Sequence, residues 1–172
     1  STIPGTSTLT EAKRGNGQVE LKWAAPTSNG GLSVEKYVVQ VTTSPITESG
    51  WLTVEDAVVG TTFIIPNLTN GVTYHFRVAA VNEIGVGPFS NSLSAVPATT
   101  PDKPLSLSTK SEISSEVTLS WVKPTFDGGK DVTDYIIQYS IDKLDWTLFT
   151  DTEDPATTTG TTVTGLTNGK EY

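Results

Sequence analysis

The chain repeats itself. When the 172-residue sequence is slid against itself by 98 positions, its largest and most conformationally special residues fall into register. Leu9 meets Leu107, Val19 meets Val117, Leu21 meets Leu119 and Trp23 meets Trp121. Pro26 meets Pro124, Gly30-Gly31 meets Gly128-Gly129, Tyr37 meets Tyr135 and Gln40 meets Gln138. Further on, Ile65 meets Val163, Leu68-Thr69-Asn70-Gly71 meets Leu166-Thr167-Asn168-Gly169, and Tyr74 meets Tyr172. Only the middle slips, where Trp51 answers to Trp146 at a spacing of 95, as a loop that loses residues and regains them would allow. Chance does not align so many Trp, Tyr and Gly. The chain is a tandem duplication, and whatever folds one half must fold the other.

Each copy reads as strands. Val19-Glu20-Leu21-Lys22-Trp23 alternates apolar and polar residues, as a strand with one buried face must. Tyr37-Val38-Val39-Gln40-Val41 and Tyr135-Ile136-Ile137-Gln138-Tyr139 are matching strands, and Phe63, Ile65 and Leu68 supply another inward set. The run Tyr74 to Ala80 places Tyr74, Phe76, Val78 and Ala80 inside, with His75 and Arg77 outside. Turn signals separate these runs at Gly15-Asn16-Gly17, Asn29-Gly30-Gly31, Asn70-Gly71 and Gly85-Val86-Gly87-Pro88. The 29 Thr and 16 Ser suit strands and turns, and no window holds a capped 3.6-residue period, so no substantial helix is predicted. Short alternating strands at this spacing predict an all-β chain of two antiparallel β-sandwiches.

Composition excludes several kinds of chemistry. With no Cys there is no disulfide framework, thiolate metal site or cysteine nucleophile, and with His75 alone there is no multi-histidine site. A net charge of −8 argues against nucleic acid or an anionic membrane surface as a partner. No apolar run approaches the ~18 residues of a membrane span, so membrane insertion is not expected. The chain opens at Ser1 without a charged-then-apolar signal, which reads as a processed or excerpted chain. The boundary between copies falls in Val96-Pro97-Ala98-Thr99-Thr100-Pro101-Asp102-Lys103-Pro104, where closely spaced prolines favour an extended, semi-rigid connector. The expected division is 1–97, a linker at 98–104, and 105–172.

These residues resemble tandem fibronectin type III domains. The first copy has Trp23 on the second strand, Pro26 before a Gly-rich turn, and Tyr37 opening the third strand. Leu68 stands six residues before Tyr74, and Ala80-Val81-Asn82 leads into Gly85-Val86-Gly87-Pro88 and Ser90. The resemblance implies an immunoglobulin-like sandwich with a tyrosine corner, in which the Tyr74 phenol bonds back to upstream backbone. The second copy stops at Tyr172, the match of Tyr74, so it lacks what corresponds to His75 through Pro97, and the resemblance implies an incomplete second sandwich. The faces of Trp121, Ile137 and Tyr139 are then expected to lie partly uncovered. Either the chain is an excerpt of a longer polypeptide, or another subunit donates the strands.

No catalytic, cofactor-binding or metal site is predicted. His75 reads as a solvated strand residue, with no nucleophile–base relay around it. Asp151-Thr152-Glu153-Asp154, and Asp127, Asp131 and Asp134, raise the question of calcium, but neither set has the spacing of a dedicated calcium loop. Trp51 and Trp146 are expected to pack their flanks onto the sheet rather than bind a ligand. Asn67-Leu68-Thr69 is a glycosylation sequon that places Leu68 at a core position. Arg14-Gly15-Asn16 is only a near miss for an integrin-binding tripeptide, and the Glu83–Gly87 loop carries no such signal.

What the resemblance implies is a non-enzymatic, extracellular or surface-exposed spacer or display module. It is part of a longer protein and contacts protein subunits of a larger assembly or surface glycans. Thr-rich, acidic, cysteine-free copies are similar to those of bacterial secreted proteins and phage virions. The alternatives are therefore a head-decoration or tail-fibre component with weak cell-surface attachment, and the linker region of a secreted polysaccharide-degrading enzyme.

Overall fold

The computed structural model describes residues 1–45, 47–110, 114–150 and 158–172. They form two compact units, Ser1–Thr99 and Thr100–Tyr172. The first holds strands β1 (Thr8–Gly15), β2 (Gln18–Ala24), β3 (Lys36–Thr42), β4 (Leu52–Val58), β5 (Thr62–Ile65), β6 (Tyr74–Asn82), β7 (Gly85–Val86) and β8 (Leu93–Ala95). One sheet runs β1-β2-β5; the other runs β4-β3-β6-β7, with β8 also paired to β6. All these pairings are antiparallel. The only helical element among the described residues is one 3₁₀ turn, Glu48–Gly50.

The alternation along β2 decides how the sheets meet. Val19, Leu21 and Trp23 are buried while Gln18, Lys22 and Ala24 face solvent. Opposite them, Tyr37 and Val39 of β3 and Phe76, Val78 and Ala80 of β6 close the same core. The Trp23 and Tyr37 rings meet edge to face, with centroids 5.3 Å apart and planes at 63°. Burying a Trp removes roughly 200 Å² from water, worth about 5 kcal/mol. The Trp23 indole N–H is buried without a hydrogen bond of ordinary geometry, facing only a weak interaction with the Tyr37 phenol. That costs about 1–3 kcal/mol, so apolar burial wins at this position. On β6 the simple alternation needs correction, because Ala79 and Val81 are buried as well. This strand lies between β3 on one edge and β7 and β8 on the other, and its small outward side chains are covered by that neighbourhood.

The second unit repeats the plan in part. It has β9 (Leu105–Lys110), β10 (Val117–Val122), β11 (Ile137–Tyr139), β12 (Thr147–Phe149) and β13 (Gly160–Val163), in sheets β13-β10-β9 and β11-β12. Val19 pairs with Ile65 and Lys22 with Thr62; at the 98-residue offset Val117 pairs with Val163 and Ser120 with Gly160. The Trp121–Tyr135 rings reproduce the first unit's pair at 5.2 Å and 64°. The corner is duplicated too: the Thr69 amide donates to the Tyr74 phenol oxygen at 3.1 Å, and Thr167 to Tyr172 at 2.9 Å. Asn70 accepts from the Gly17 amide and Asn168 from the Ser115 amide, both turns having positive φ.

The copies differ in how closed their cores are. Leu9 is buried, but Leu107 is 66% exposed even though it faces the core side, beside Leu119, Trp121 and Tyr135. Ile137 and Tyr139 are half-buried, as expected of uncovered faces, whereas Trp121 is only 8% exposed and corrects that expectation. Trp121 hangs from β10 between two partner strands and is shielded by Tyr135 at its edge. Trp23→Ala is expected to destabilise the first unit by about 3–5 kcal/mol, as large core truncations do. Trp121→Ala should cost the second unit less, because its surroundings are already part-solvated; urea unfolding of both variants checks the order.

Candidate functional surface

Arg77 occupies the most elaborate polar position in the first unit. It lies on the outer side of β6, opposite Gln40 in the β3–β6 register. Its guanidinium carbon is 4.3 Å from the centroid of the Trp51 ring and 4.2 Å from that of Phe89, so the planar cation is held between two rings. Its edge is filled as well. Nε donates to the Gln40 amide oxygen at 2.9 Å, and the two terminal nitrogens donate to the Glu48 carboxylate at 3.1 and 2.9 Å. The Arg77 side chain is 11% exposed and that of Glu48 85%. Arg77 is thus outside the core, as its place in the alternation requires, yet nearly buried. Sequence reasoning missed this cluster; the repeated Gln40/Gln138 and Trp51/Trp146 pairs were its only trace.

Trp51 packs its flank as expected, through Arg77. Trp146 does not, and is corrected here: it is 55% exposed. The cause is plain in the geometry, since the side chain that covers Trp51 comes from β6 and no β6 equivalent stands beside β11 among the described residues.

One end of the first unit is tied together by Asn82, which is buried. Its amide nitrogen donates to the carbonyls of Thr2 and Asn29 at 2.8 and 2.9 Å, and its oxygen accepts from Ile84 and Gly85. A single side chain therefore joins the N-terminal segment, the Gly30-Gly31 turn and the Glu83–Gly87 loop. Gly30 is required there: φ is +74°, and a Cβ would fall 2.1 Å from the Thr2 carbonyl oxygen. Asn91 does similar work for β1, donating to the Leu9 carbonyl and accepting from its amide, both at 3.0 Å.

The remaining candidates stay apart. His75 is half-buried on β6, paired with Thr42 and Ser94. Asp127 and Asp134 accept from the backbone amides of Gly129 and Tyr135, and among the described residues no group of three or more His, Cys, Asp or Glu could hold a metal. Asp151, Glu153 and Asp154 lie outside the described residues. Asn67 is exposed at φ 60° in the position that Gly165 takes in the second copy, and Leu68 packs against the core. Asp142, which accepts from the amides of Asp145 and Leu144 and the Ser140 hydroxyl, is held below the ordinary carboxylate value by those donors.

The fibronectin type III domain profile matches residues 4–96 and again 102–172. The chain belongs to that family. As a fibronectin type III pair it is 27% identical over 157 residues to a titin homolog of Caenorhabditis elegans, covering 90% of this chain and 1% of that protein. Fasciclin-2 of Schistocerca americana is 31% identical over 140 residues, 70% of this chain and 15% of that protein. A Kelch domain-containing protein of Saccharolobus solfataricus is 39% identical over 69 residues, 40% of this chain and 9% of that protein. Among solved structures, one of titin domains aligns with 55% of this chain and 31% of its own at 28% identity, with a TM-score of 0.44. The chain spans 15% or less of the length of each of these curated relatives. Fibronectin type III modules thus recur as small parts of much longer proteins.

The Arg77 cluster has a pH signature. The Arg77 hydrogen bonds hold the Glu48 carboxyl below its ordinary value of 4.5. Because the folded value is the lower one, this contribution is fully present above about pH 4.5 and is lost as pH falls through the lowered value. In Arg77→Ala, the Glu48 titration midpoint followed by carboxyl NMR should move up to the ordinary range. The same variant should lose about 1–2 kcal/mol of stability with its two ring contacts.

Proposed function

We propose that the chain is a non-enzymatic spacer or display segment of a longer, surface-exposed or extracellular protein, and that its contacts are with protein. The observation that carries this is how the duplicated aromatic residues are used. Trp23 with Tyr37, Trp121 with Tyr135, and the two corner tyrosines are committed to holding sheets together in the same geometry. What the duplication preserves is the module itself rather than a reacting group. Relatives named as a titin homolog, as fasciclin-2 and as fast-type myosin-binding protein C support a structural role with protein partners.

The test is replacement. Exchanging residues 1–172 in the native protein for two unrelated sandwiches of equal length should leave the parent protein's activity intact. Loss of that activity, with the fold of the replacement verified, would show that a specific surface of these modules is required and contradict the spacer reading.

A further inference from the structure

Of the seven asparagines in the chain, six use their carboxamides to hold the fold. Asn16 accepts from the Asn70 side chain, Asn70 accepts from the Gly17 amide, and Asn168 accepts from the Ser115 amide. Asn29 accepts from the Gly31 amide, while Asn82 and Asn91 tie separate segments together. Asn67 is the seventh. Its side chain is exposed and makes no hydrogen bond among the described residues.

Asn67 is also the one asparagine that opens an Asn-X-Ser/Thr tripeptide, Asn67-Leu68-Thr69. The fold turns the middle of that tripeptide inward and its two ends outward. The Leu68 amide donates to the Gly17 carbonyl at 2.8 Å, and its side chain packs against the core. Asn67 and Thr69, on either side of it, are exposed in the connection between β5 and β6. The Thr69 backbone amide serves the Tyr74 corner, which leaves its hydroxyl without a partner among the described residues. Backbone conformation alone does not ask for Asn here. At Asn67 φ is 60°, a region that Asn tolerates and Gly adopts freely, and the second copy has Gly165 at φ 74° before the same Leu-Thr pair. What Asn67 adds to the turn is a free, exposed carboxamide nitrogen.

We propose that Asn67 carries an N-linked oligosaccharide on its carboxamide nitrogen Nδ2. The donor is an oligosaccharide activated as a lipid-linked pyrophosphate, and the transfer is made by an oligosaccharide-transferring enzyme that reads the Thr69 hydroxyl. Nδ2 forms a bond to the anomeric carbon of the sugar while the bond from that carbon to the pyrophosphate oxygen breaks. The lipid pyrophosphate leaves with the electron pair and takes up the proton that Nδ2 loses; nothing is oxidised or reduced. The attached group hangs from an exposed turn, so its bulk stays in solvent and no core side chain moves to admit it. This rests on the reading of a surface-exposed or extracellular protein, and adds to it a covalent modification at a named atom.

The experiment reads the Asn67 peptide of the native protein by mass spectrometry, before and after an amidase that releases N-linked glycans and leaves Asp in place of the modified Asn. Protease treatment of intact cells or particles from the same source reports surface exposure independently. An exposed protein is expected, with oligosaccharide mass on the Asn67 peptide and Asp at position 67 after release. In the native protein, Asn67→Gly and Thr69→Ala should each abolish the modification, and Thr69→Ser should keep it. Neither loss reflects unfolding: Gly holds the same positive φ at Gly165, and the donor to Tyr74 is the Thr69 backbone amide. Unchanged melting temperatures of the two unglycosylated variants against the unglycosylated parent check this. An unmodified Asn67 on an exposed protein would overturn the glycan and leave the surface reading standing. A protein that is not exposed, with Asn67 unmodified, would overturn both. Modification that persists in Thr69→Ala would contradict transfer through this tripeptide and overturn the proposal.

Discussion

Trp23 stands where the two sheets of the first unit must agree. It hangs from β2 in one sheet and meets the edge of Tyr37 from β3 in the other, so its position ties the registers of both. Around it the inward residues of β1, β2, β5 and β6 are chosen by the pleat and not individually. A one-residue slip in any of these strands would turn its apolar set to solvent. The indole nitrogen makes no hydrogen bond of ordinary geometry, only a weak interaction with the Tyr37 phenol, and the site tolerates that because dispersion and apolar burial at a two-sheet junction exceed the cost of one poorly paired donor. Fixing the core in this way leaves the loops to be tied by polar side chains, as Asn82 and Asn91 do.

The second unit separates the parts of this design that are local from those that are not. Its Trp–Tyr pair, its corner tyrosine and its Asn168 turn contact form with no strand equivalent to β6 among the described residues. Those are contacts within β10, the strands near it and the turn before Tyr172. What fails to close is the long-range part: the inner face of β11, the face of Leu107 and the flank of Trp146. Corner and turn hydrogen bonds are thus local contacts, while β6 supplies the inward residues that close the first unit's core.

Much of this was legible in the residues. The alternation in Val19–Trp23, the paired Gly turns and the 98-residue offset read out the strands, the sandwich and the duplicated β2–β5 and β10–β13 registers. The spacing of Leu68 to Tyr74, repeated as Leu166 to Tyr172, marks the corner. Other features were not legible, for physical reasons. Burial of Ala79 and Val81 depends on neighbours that alternation does not report. The Arg77 cluster joins Gln40, Glu48, Trp51 and Phe89 from four places in the sequence, and no local pattern encodes such a meeting. The repeat aligned Trp51 with Trp146 correctly but could not tell that one is covered and the other bare, because cover comes from a strand and not from the residue.

The account stands on the first unit having a closed two-sheet core and the second an open one. Native-state amide hydrogen exchange on the 172-residue chain measures this residue by residue. Amides of β2 and β6 should exchange only through global unfolding of the first unit, while those of β11 exchange orders of magnitude faster. Equal protection of β6 and β11 would contradict it, since a strand bare on one edge and half-wet on its inner face cannot match one that is paired on both edges and buried.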